Sequence, residues 1–512
     1  MDQPPAFLKT SVVIIGAGPT GLSLAAQLLR YKIDFIILEK NAGTTMLSKA
    51  LVVQARSLEI FRELGLADQA ISRGSITTAL NLIYQGKKKL TLDIEGLGKG
   101  LSEFPFALSL EQSKTESLLV AYLSENNISI QWNCLFTRYE QDEKSVTVFY
   151  KDAEGAENSI EAEYLVGCDG ASSLIRHQAA LSFKGDTVPK IFYVADVILK
   201  STVINQNQLY MFMIRKGFIL FFPMEGVGHY RIIGILPGAN AQIHFEFADI
   251  EEGIRRQVMV PLQFEKLQWF SSYRIHSRRA EHFKEGRVFI AGDAAHIHTP
   301  AGGQGMNTGI QDAYNLAWKL AGVIRRKLNP AILETYDTER SANAEHLLRT
   351  TDRIFDFMSG ATGFWNFIRL NIFPPLARLL IKSNAVKKRF FPLLSQTGIA
   401  YPQSALTVQS AVGKVKAGDR MHYFVLPDDD NIFDRLTKPV FKLLFFDTEN
   451  GTGFQIVKTG GFEIECLMIS DIPSKLFGNN TGFYILLRPD NHISYIGRDI
   501  NTGIDLLKKI SI

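Results

Sequence analysis

Residues 11–39 read, in order, as a β-branched apolar run, a glycine turn, an apolar helix, a second apolar run and an acid. Ser11 to Ile15 leads into Gly16-Ala17-Gly18-Pro19-Thr20-Gly21; Leu22, Ala25, Ala26 and Leu29 then recur at helical spacing; Phe35 to Leu38 ends at Glu39. That order predicts the opening βαβ unit of a parallel sheet and, at its turn, a dinucleotide site. The first glycine permits the turn, the second lets a pyrophosphate approach the backbone, and the third lets helix and strand pack. Glu39 stands about 20 residues on, where an acid accepts hydrogen bonds from a ribose. Only one such fingerprint is present, so a second nucleotide cofactor is expected to visit without a domain of its own.

A second constraint lies at Gly286 to Lys327. Val288 to Ala291 reads as a buried strand that stops at Gly292-Asp293. The turn Pro300-Ala301-Gly302-Gly303-Gln304-Gly305 follows, then a helix in which Met306, Ile310, Ala313, Leu316, Ala317, Leu320 and Ile324 form one buried stripe. Arg325, Arg326 and Lys327 are expected in its last turn, and Asn329-Pro330 stop it. The amino end of that helix faces a loop whose glycines let a flat ligand reach free N–H groups. A ring that becomes anionic on reduction gains from this. His296 and His298 have the alternate spacing of a metal pair, but they fall inside this motif, and no metal is expected.

Elsewhere the chain is less explicit. A net charge of +4 over 512 residues argues for neither nucleic acid nor a membrane surface. Cys134, Cys168 and Cys466 lie too far apart for a disulfide framework or metal cluster, which fits a reducing cytoplasm. The first residues lack the basic start and apolar core of a signal peptide, and no apolar run approaches the roughly 20 residues that span a bilayer. Gln54 to Gly65 reads as a helix with Arg56 near its start, and Glu111 to Leu123 as another opening at Gln112. Ile128 to Trp132 and Ser145 to Tyr150 read as strands, and Tyr164 to Gly167 as a third that runs through Cys168 into Asp169-Gly170. From Leu181 to Trp269 helical periodicity gives way to aromatic strands, with a hairpin at Arg215-Lys216-Gly217. Residues 331–400 read as helices with a broad apolar face that includes Phe364, Trp365 and Phe367. Packing against neighbouring domains is the expected fate of that face, with membrane contact as the alternative. The tail from Leu406 reads as a small α/β domain.

Three signals in sequence order, GAGPTG (Gly16–Gly21), CDGASSLIR (Cys168–Arg176) and GDAAHIHTPAGGQGMN (Gly292–Asn307), resemble the class A flavoprotein aromatic hydroxylases, the group of para-hydroxybenzoate, phenol and polyketide hydroxylases. The resemblance covers about the first 340 residues and implies FAD as cofactor, NADH or NADPH as transient reductant, O2, and a small aromatic substrate hydroxylated through a flavin C4a-hydroperoxide. It places Gly16, Gly18, Pro19, Thr20 and Gly21 on the pyrophosphate, with Glu39 and Lys40 at the adenosine ribose. Arg56, Gln112, Asp169 and Gly170 match cofactor-contacting positions, Gly292 and Asp293 the ribityl or pyrophosphate region, and Pro300, Gly302, Gly303, Gly305, Met306 and Asn307 the flavin edge. No catalytic residue is assigned. The tail resembles the thioredoxin-like domain of the phenol and polyketide hydroxylase branch, but Cys466 is its only cysteine, so dithiol chemistry is not expected. A structural or homodimer-related role is the expectation for that domain.

The implied fold is α/β: a Rossmann-like FAD-binding domain, an inserted antiparallel β-sheet substrate domain and a C-terminal thioredoxin-like α/β domain. The expected segments are 1–73, 107–180 and 271–330 for the FAD domain, 74–106 and 181–270 for the substrate domain, 331–405 as helical connection and 406–512 as the tail. Alternatives that share the flavin site are an epoxidase, a Baeyer–Villiger-type or antibiotic-inactivating oxygenase, a reductase, and a non-enzymatic flavin-binding module.

Overall fold

The computed structural model describes residues 8–45, 50–215, 217–236, 245–299, 302–359, 363–380, 383–448, 455–459 and 462–512. Its first sheet sets four strands in parallel, in the order Phe35–Leu38, Leu8–Ile15, Glu157–Gly167, Val288–Ile290. The register places Leu38, Ile15, Gly167 and Ile290 at one level. All four strands therefore end on a single rim, where ligands bind in sheets of this kind. Val146–Lys151 adds to the opposite end, antiparallel to the first half of Glu157–Gly167. Ile128 to Trp132 is not a strand; it touches the sheet through a lone bridge from Gln131 to Leu38.

The helix Gly305–Ile324 runs through the middle of the core, and every residue from Asn307 to Ala321 is buried. The expectation of one buried stripe is thus corrected. Its polar residues are covered as completely as its apolar ones, because the helix Glu334–Ser359 and the tail meet them with charges. Arg325 to Lys327 lie just beyond the last turn rather than in it, and Arg325 instead donates to the Tyr31 carbonyl.

The second sheet has eight strands, ordered His296–Ile297, Gln263–Ala280, Phe183–Lys200, His229–Ile235, Gly217–Pro223, Gln208–Ile214, Ala79–Tyr84, Lys87–Asp93. The hairpin is present, with Ile214 opposite Gly217, although Lys216 at its tip lies outside the described residues. Two expectations are corrected here. The sheet is not wholly antiparallel, because Gln208–Ile214 pairs in parallel with Ala79–Tyr84. The expected break at 270 falls inside the strand Gln263–Ala280, whose pairing with Phe183–Lys200 extends to Ala280.

Strand alternation sorts this sheet into two faces. Tyr193, Ala195, Val197, Tyr230 and Ile232 pack against Phe247, Ile254 and Val258 of the helix Phe247–Val258. Phe192, Phe218 and Ile235 point the other way, onto Phe355. Beyond residue 362 the apolar face is packed as expected only in part: Leu370 and Phe373 lie on the second sheet, whereas Phe364, Trp365 and Phe367 are exposed.

The tail builds a mixed five-stranded sheet in the order Gln455–Thr459, Phe462–Ile469, Phe441–Phe446, Phe483–Leu487, Ile493–Gly497, followed by the helix Ile500–Ile510. Its turn Arg488–His492 is buried against the first domain: Asn491 donates to Glu63 and the Trp318 indole donates to Asp490.

Candidate active site

The glycine turn behaves as its spacing demands. Gly16 has φ +103°, and a Cβ there would sit 2.3 Å from the Cys168 carbonyl; one at Gly21 would sit 1.9 Å from the Gly16 oxygen. These two glycines exist for packing. Gly18 differs, since a Cβ there meets nothing within 4 Å. It forms the N-cap of the helix Pro19–Arg30, no side chain caps that end, and its N–H groups face an open cradle. Thr20 packs against Gly292 and Gly309, whose added Cβ atoms would lie 2.3 Å and 2.2 Å from its hydroxyl. Gly292, with φ +61°, is therefore held to glycine by the first helix rather than by a ligand, and its N–H donates to Asp312.

Glu39 closes one end of the cradle. Its Oε2 accepts from the Ala17 N–H at 2.8 Å, and its Oε1 from the Asn41 N–H at 3.0 Å. Asn41 Nδ2 also donates to Oε1, so it is Oε2 that retains a lone pair for a further donor. Lys40 is exposed just beyond. On the third strand end, Asp169 Oδ2 takes the Leu174 and Ile175 N–H groups, while its Oδ1 is shielded from water and has no partner among the described residues. A Cβ on Gly170 would meet nothing. Asp293 is exposed on the same rim.

The second glycine turn stands at the amino end of the long helix, where Gln304 is the N-cap and makes no side-chain cap bond. Gly302 and Gly303 have φ of +83° and +63°, and Met306 packs half-buried in the first turn. Gly305 has only the His298 ring near its vacant Cβ position. Pro300 lies outside the described residues. Asn307, expected at the flavin edge, is fully buried, and its side chain is engaged by protein: Oδ1 accepts from Gln54 N–H and Ser57 Oγ, and Nδ2 donates to the Val52 and Gly303 carbonyls. It staples the turn to the Val52 strand.

Arg56 is a correction. Its guanidinium is buried and turned toward the tail, donating to Glu59 and to the Asp490 carbonyl, because the tail's acidic turn covers that helix. Gln112 stands at the start of the helix Gln112–Glu125, where its Oε1 accepts from Ala50 N–H and its Nε2 donates to Glu116. The two histidines do not converge on a shared partner. His296 bonds Asp312, which also accepts from Arg340, whereas His298 bonds the Thr299 carbonyl. Burial holds the His298 imidazole down at about 4, so it is neutral near pH 7. No metal-binding group of three or more His, Cys, Asp or Glu occurs among the described residues.

The wall opposite the turn comes from the second sheet, the expected substrate domain, in which the sequence alone assigned Arg231 no role. Leu51 and Val52 pack on Met224 and Phe222, and Phe222 is the cross-strand neighbour of Arg231. Arg231 lies on the sheet face of Phe192 and Ile235, opposite Tyr230 and Ile232. It is 1% exposed and forked onto Asp196, with Nε and Nη2 each at 2.7 Å, while Nη1 has no partner among the described residues. A charge pair placed mid-strand between apolar residues was the available signal.

The family model described as FAD binding domain matches residues 9–351. The chain belongs to that family. It is similar to a 12-dehydrotetracycline 5-monooxygenase/anhydrotetracycline 6-monooxygenase of Streptomyces rimosus subsp. rimosus, 32% identical across 67% of this chain and 69% of that one. It is also similar to a 6-methylpretetramide 4-monooxygenase of Streptomyces rimosus, 27% identical across 98% and 93% of the respective chains. The solved OxyS anhydrotetracycline hydroxylase from Streptomyces rimosus superposes with a TM-score of 0.77 over 98% of this chain and 99% of that one, at 26% identity. The FAD-binding protein described here is accordingly an FAD-dependent monooxygenase of the aromatic-hydroxylase group. Its residues fit the cofactor: an open cradle at Gly18, a carboxylate beside it, an unpartnered Asp169 oxygen and an uncapped helix end beyond Gly303.

Proposed function

We propose that this monooxygenase hydroxylates a phenol-like aromatic or polycyclic substrate in the space between the Gly302–Gly305 turn and the Arg231 face of the second sheet. The observation that carries this reading is the spare Nη1 of a buried arginine on an otherwise apolar wall. A guanidinium already neutralised by Asp196 offers one directed donor to a phenolate or ring carbonyl. It binds the electron-rich form of a phenol without leaving a bare charge when the site is vacant. Phe222, Met224, Leu51 and Val52 keep water from the same space.

In this reading Gly18 and the first helix end hold the FAD pyrophosphate, Glu39 the adenosine ribose, Asp293 the middle of the cofactor, and the turn before Met306 the flavin edge. The bound flavin supplies the redox chemistry, accepting reducing equivalents from NAD(P)H and delivering an oxygen atom from O2. The protein's part is to place N–H groups at the end of a long helix where negative charge develops, and to orient and dry the substrate. The tail is read as a thioredoxin-like domain without a dithiol, and the second sheet, extended to Ala280, as the substrate domain.

The decisive experiment screens phenols and anhydrotetracyclines for stimulated NAD(P)H oxidation, comparing oxygen uptake with peroxide release. Oxygen uptake in excess of peroxide, with an oxygen-containing product, is expected; reductant consumption that yields only peroxide across the panel would refute the reading. The double variant Arg231→Met with Asp196→Asn removes both charges together and so avoids stranding either one. It is expected to keep its yellow FAD while kcat/KM for phenols falls about 100-fold. Glu39→Ala separates the two halves of the site. It removes the acceptor for Ala17 N–H, so FAD affinity should fall by about tenfold or more with the hydroxylated position unchanged, as read by equilibrium dialysis and product analysis.

A further inference from the structure

The run Gly363–Leu380 is helical throughout, with a wider π turn at Ile368–Ile372. Its inner side is fixed to the second sheet. Arg369 is fully buried and donates to the Gly217 and Ile214 carbonyls, and Leu370, Phe373 and Ala377 pack on Leu82, Leu90 and Met213. That anchoring sets which side looks outward, and the outward side is apolar: Phe364 is 70% exposed, Trp365 54% and Leu379 69%, with Ile372 and Leu376 between them. Contiguous exposure of large apolar side chains on this scale marks an interaction surface.

Charge decides what covers it. No Asp or Glu occurs between Asp356 and Asp419, whereas five Lys or Arg occur from Arg378 to Arg389 inclusive. Arg378 is exposed next to Leu379 on the same run, and Lys388 and Arg389 are exposed on the following helix, Asn384–Ser395. A second copy of this chain meeting it through a two-fold contact would set this cationic cluster against itself, which is unfavourable. An anionic bilayer surface matches both features, since apolar side chains enter the acyl boundary while the flanking cations meet lipid phosphates. No helix among the described residues is long and apolar enough to cross a membrane, so the contact lies in the plane of the interface.

We propose that the face built by Phe364, Trp365, Ile372, Leu376 and Leu379 docks the monooxygenase peripherally on an anionic lipid surface. The placement is independent of the substrate reading, because the docking residues line neither the cofactor turn nor the Arg231 wall.

Flotation of the FAD-loaded full chain with vesicles of phosphatidylcholine mixed with phosphatidylglycerol, against phosphatidylcholine alone, tests it. Binding is expected only to the anionic vesicles, weakening as salt is raised. The triple variant Phe364→Ser, Trp365→Ser, Leu379→Ser changes exposed side chains only; it should retain FAD and melt as the parent does while partitioning at least about tenfold less. Light scattering without lipid provides the competing outcome. Failure to float with anionic vesicles, flotation unchanged in the variant, or a dimer in the parent that the variant abolishes would each overturn the proposal.

Discussion

Gly303→Val should yield a protein that purifies nearly colourless, with FAD affinity lowered by at least about 100-fold. Two independent strains add at this position. The backbone stands at φ +63°, where an L-residue costs about 1–2 kcal/mol and a β-branched one more. The new Cβ would also lie 2.9 Å from the Val52 Cβ and 3.0 Å from its Cγ2. Val52 cannot retreat, because its carbonyl is held by Asn307 Nδ2, which holds the Gly303 carbonyl as well. Relief must come from the turn itself, whose outer surface is where the flavin edge is proposed to lie. The ratio of flavin to protein absorbance reads the outcome directly, and Gly253→Ala is the control, placed in the helix Phe247–Val258 where an added Cβ meets nothing within 4 Å. A Gly303→Val protein with full flavin occupancy and normal reduction would show that this turn does not carry the ring.

How far the sequence disclosed this arrangement depends on what each residue answers to. Gly16 and Gly21 answer to local packing that was readable from spacing alone, and Gly18 stands open between them. The convergence of Glu39, Asp169 and Asp293 on one rim follows from three strands ending alike, so finding the strands found the rim. Arg56 and Asn307 answer to distant chain. Whether a guanidinium near a cofactor loop meets ligand or protein is set by what packs on its other side, here the Asp490 turn more than 400 residues away. The apolar run after residue 362 divides for the same reason: Leu370 and Phe373 meet the second sheet while Phe364 and Trp365 do not, and composition cannot say which of them finds a neighbour.

The polar stripe of the long helix is different, because its signal was present and was passed over. Asn307, Gln311, Asn315 and Lys319 recur four apart, and Asp312 sits beside them. Such a stripe is ordinarily a solvated face. Here it is the docking surface for charges from the helix Glu334–Ser359: Glu339 meets Asn315 and Lys319, and Arg340 meets Asp312. The Gly292 N–H and the His296 ring bond that same Asp312, so the cofactor rim is tied to the charge network at the centre of the molecule.

Arg488→Met should be the most destabilising single change outside the cofactor site. Arg488 is 1% exposed, donates to both oxygens of Glu339 at 2.6 Å and 3.1 Å, and holds Asp490 through Nε at 2.9 Å. Removing the guanidinium leaves two buried carboxylates with the Lys319 ammonium and the neutral donors of Asn315, Ser404 and Trp318 to offset them. Breaking one side of a buried pair costs about 3–5 kcal/mol, enough to release the Arg488–His492 turn from the long helix. The double variant Arg488→Met with Glu339→Gln removes one of the stranded charges and should recover part of that loss, which simple loss of packing would not allow. Acid provides an independent reading. Burial pushes the Glu339 carboxyl up, but Arg488 and Lys319 outweigh it and hold the group down at about 2, against 4.5 for the free side chain. The unfolded chain therefore takes up a proton before the folded one does, so this contribution is complete above about pH 4.5 and drains away as pH falls toward 2. In Arg488→Met the dominant attraction is gone, the folded carboxyl titrates higher, and unfolding should begin at a higher pH than in the parent. Thermal melts followed by near-ultraviolet circular dichroism from pH 7 to about pH 3 would show it; superimposable acid profiles for parent and variant would mean that Glu339 draws its charge stability from elsewhere.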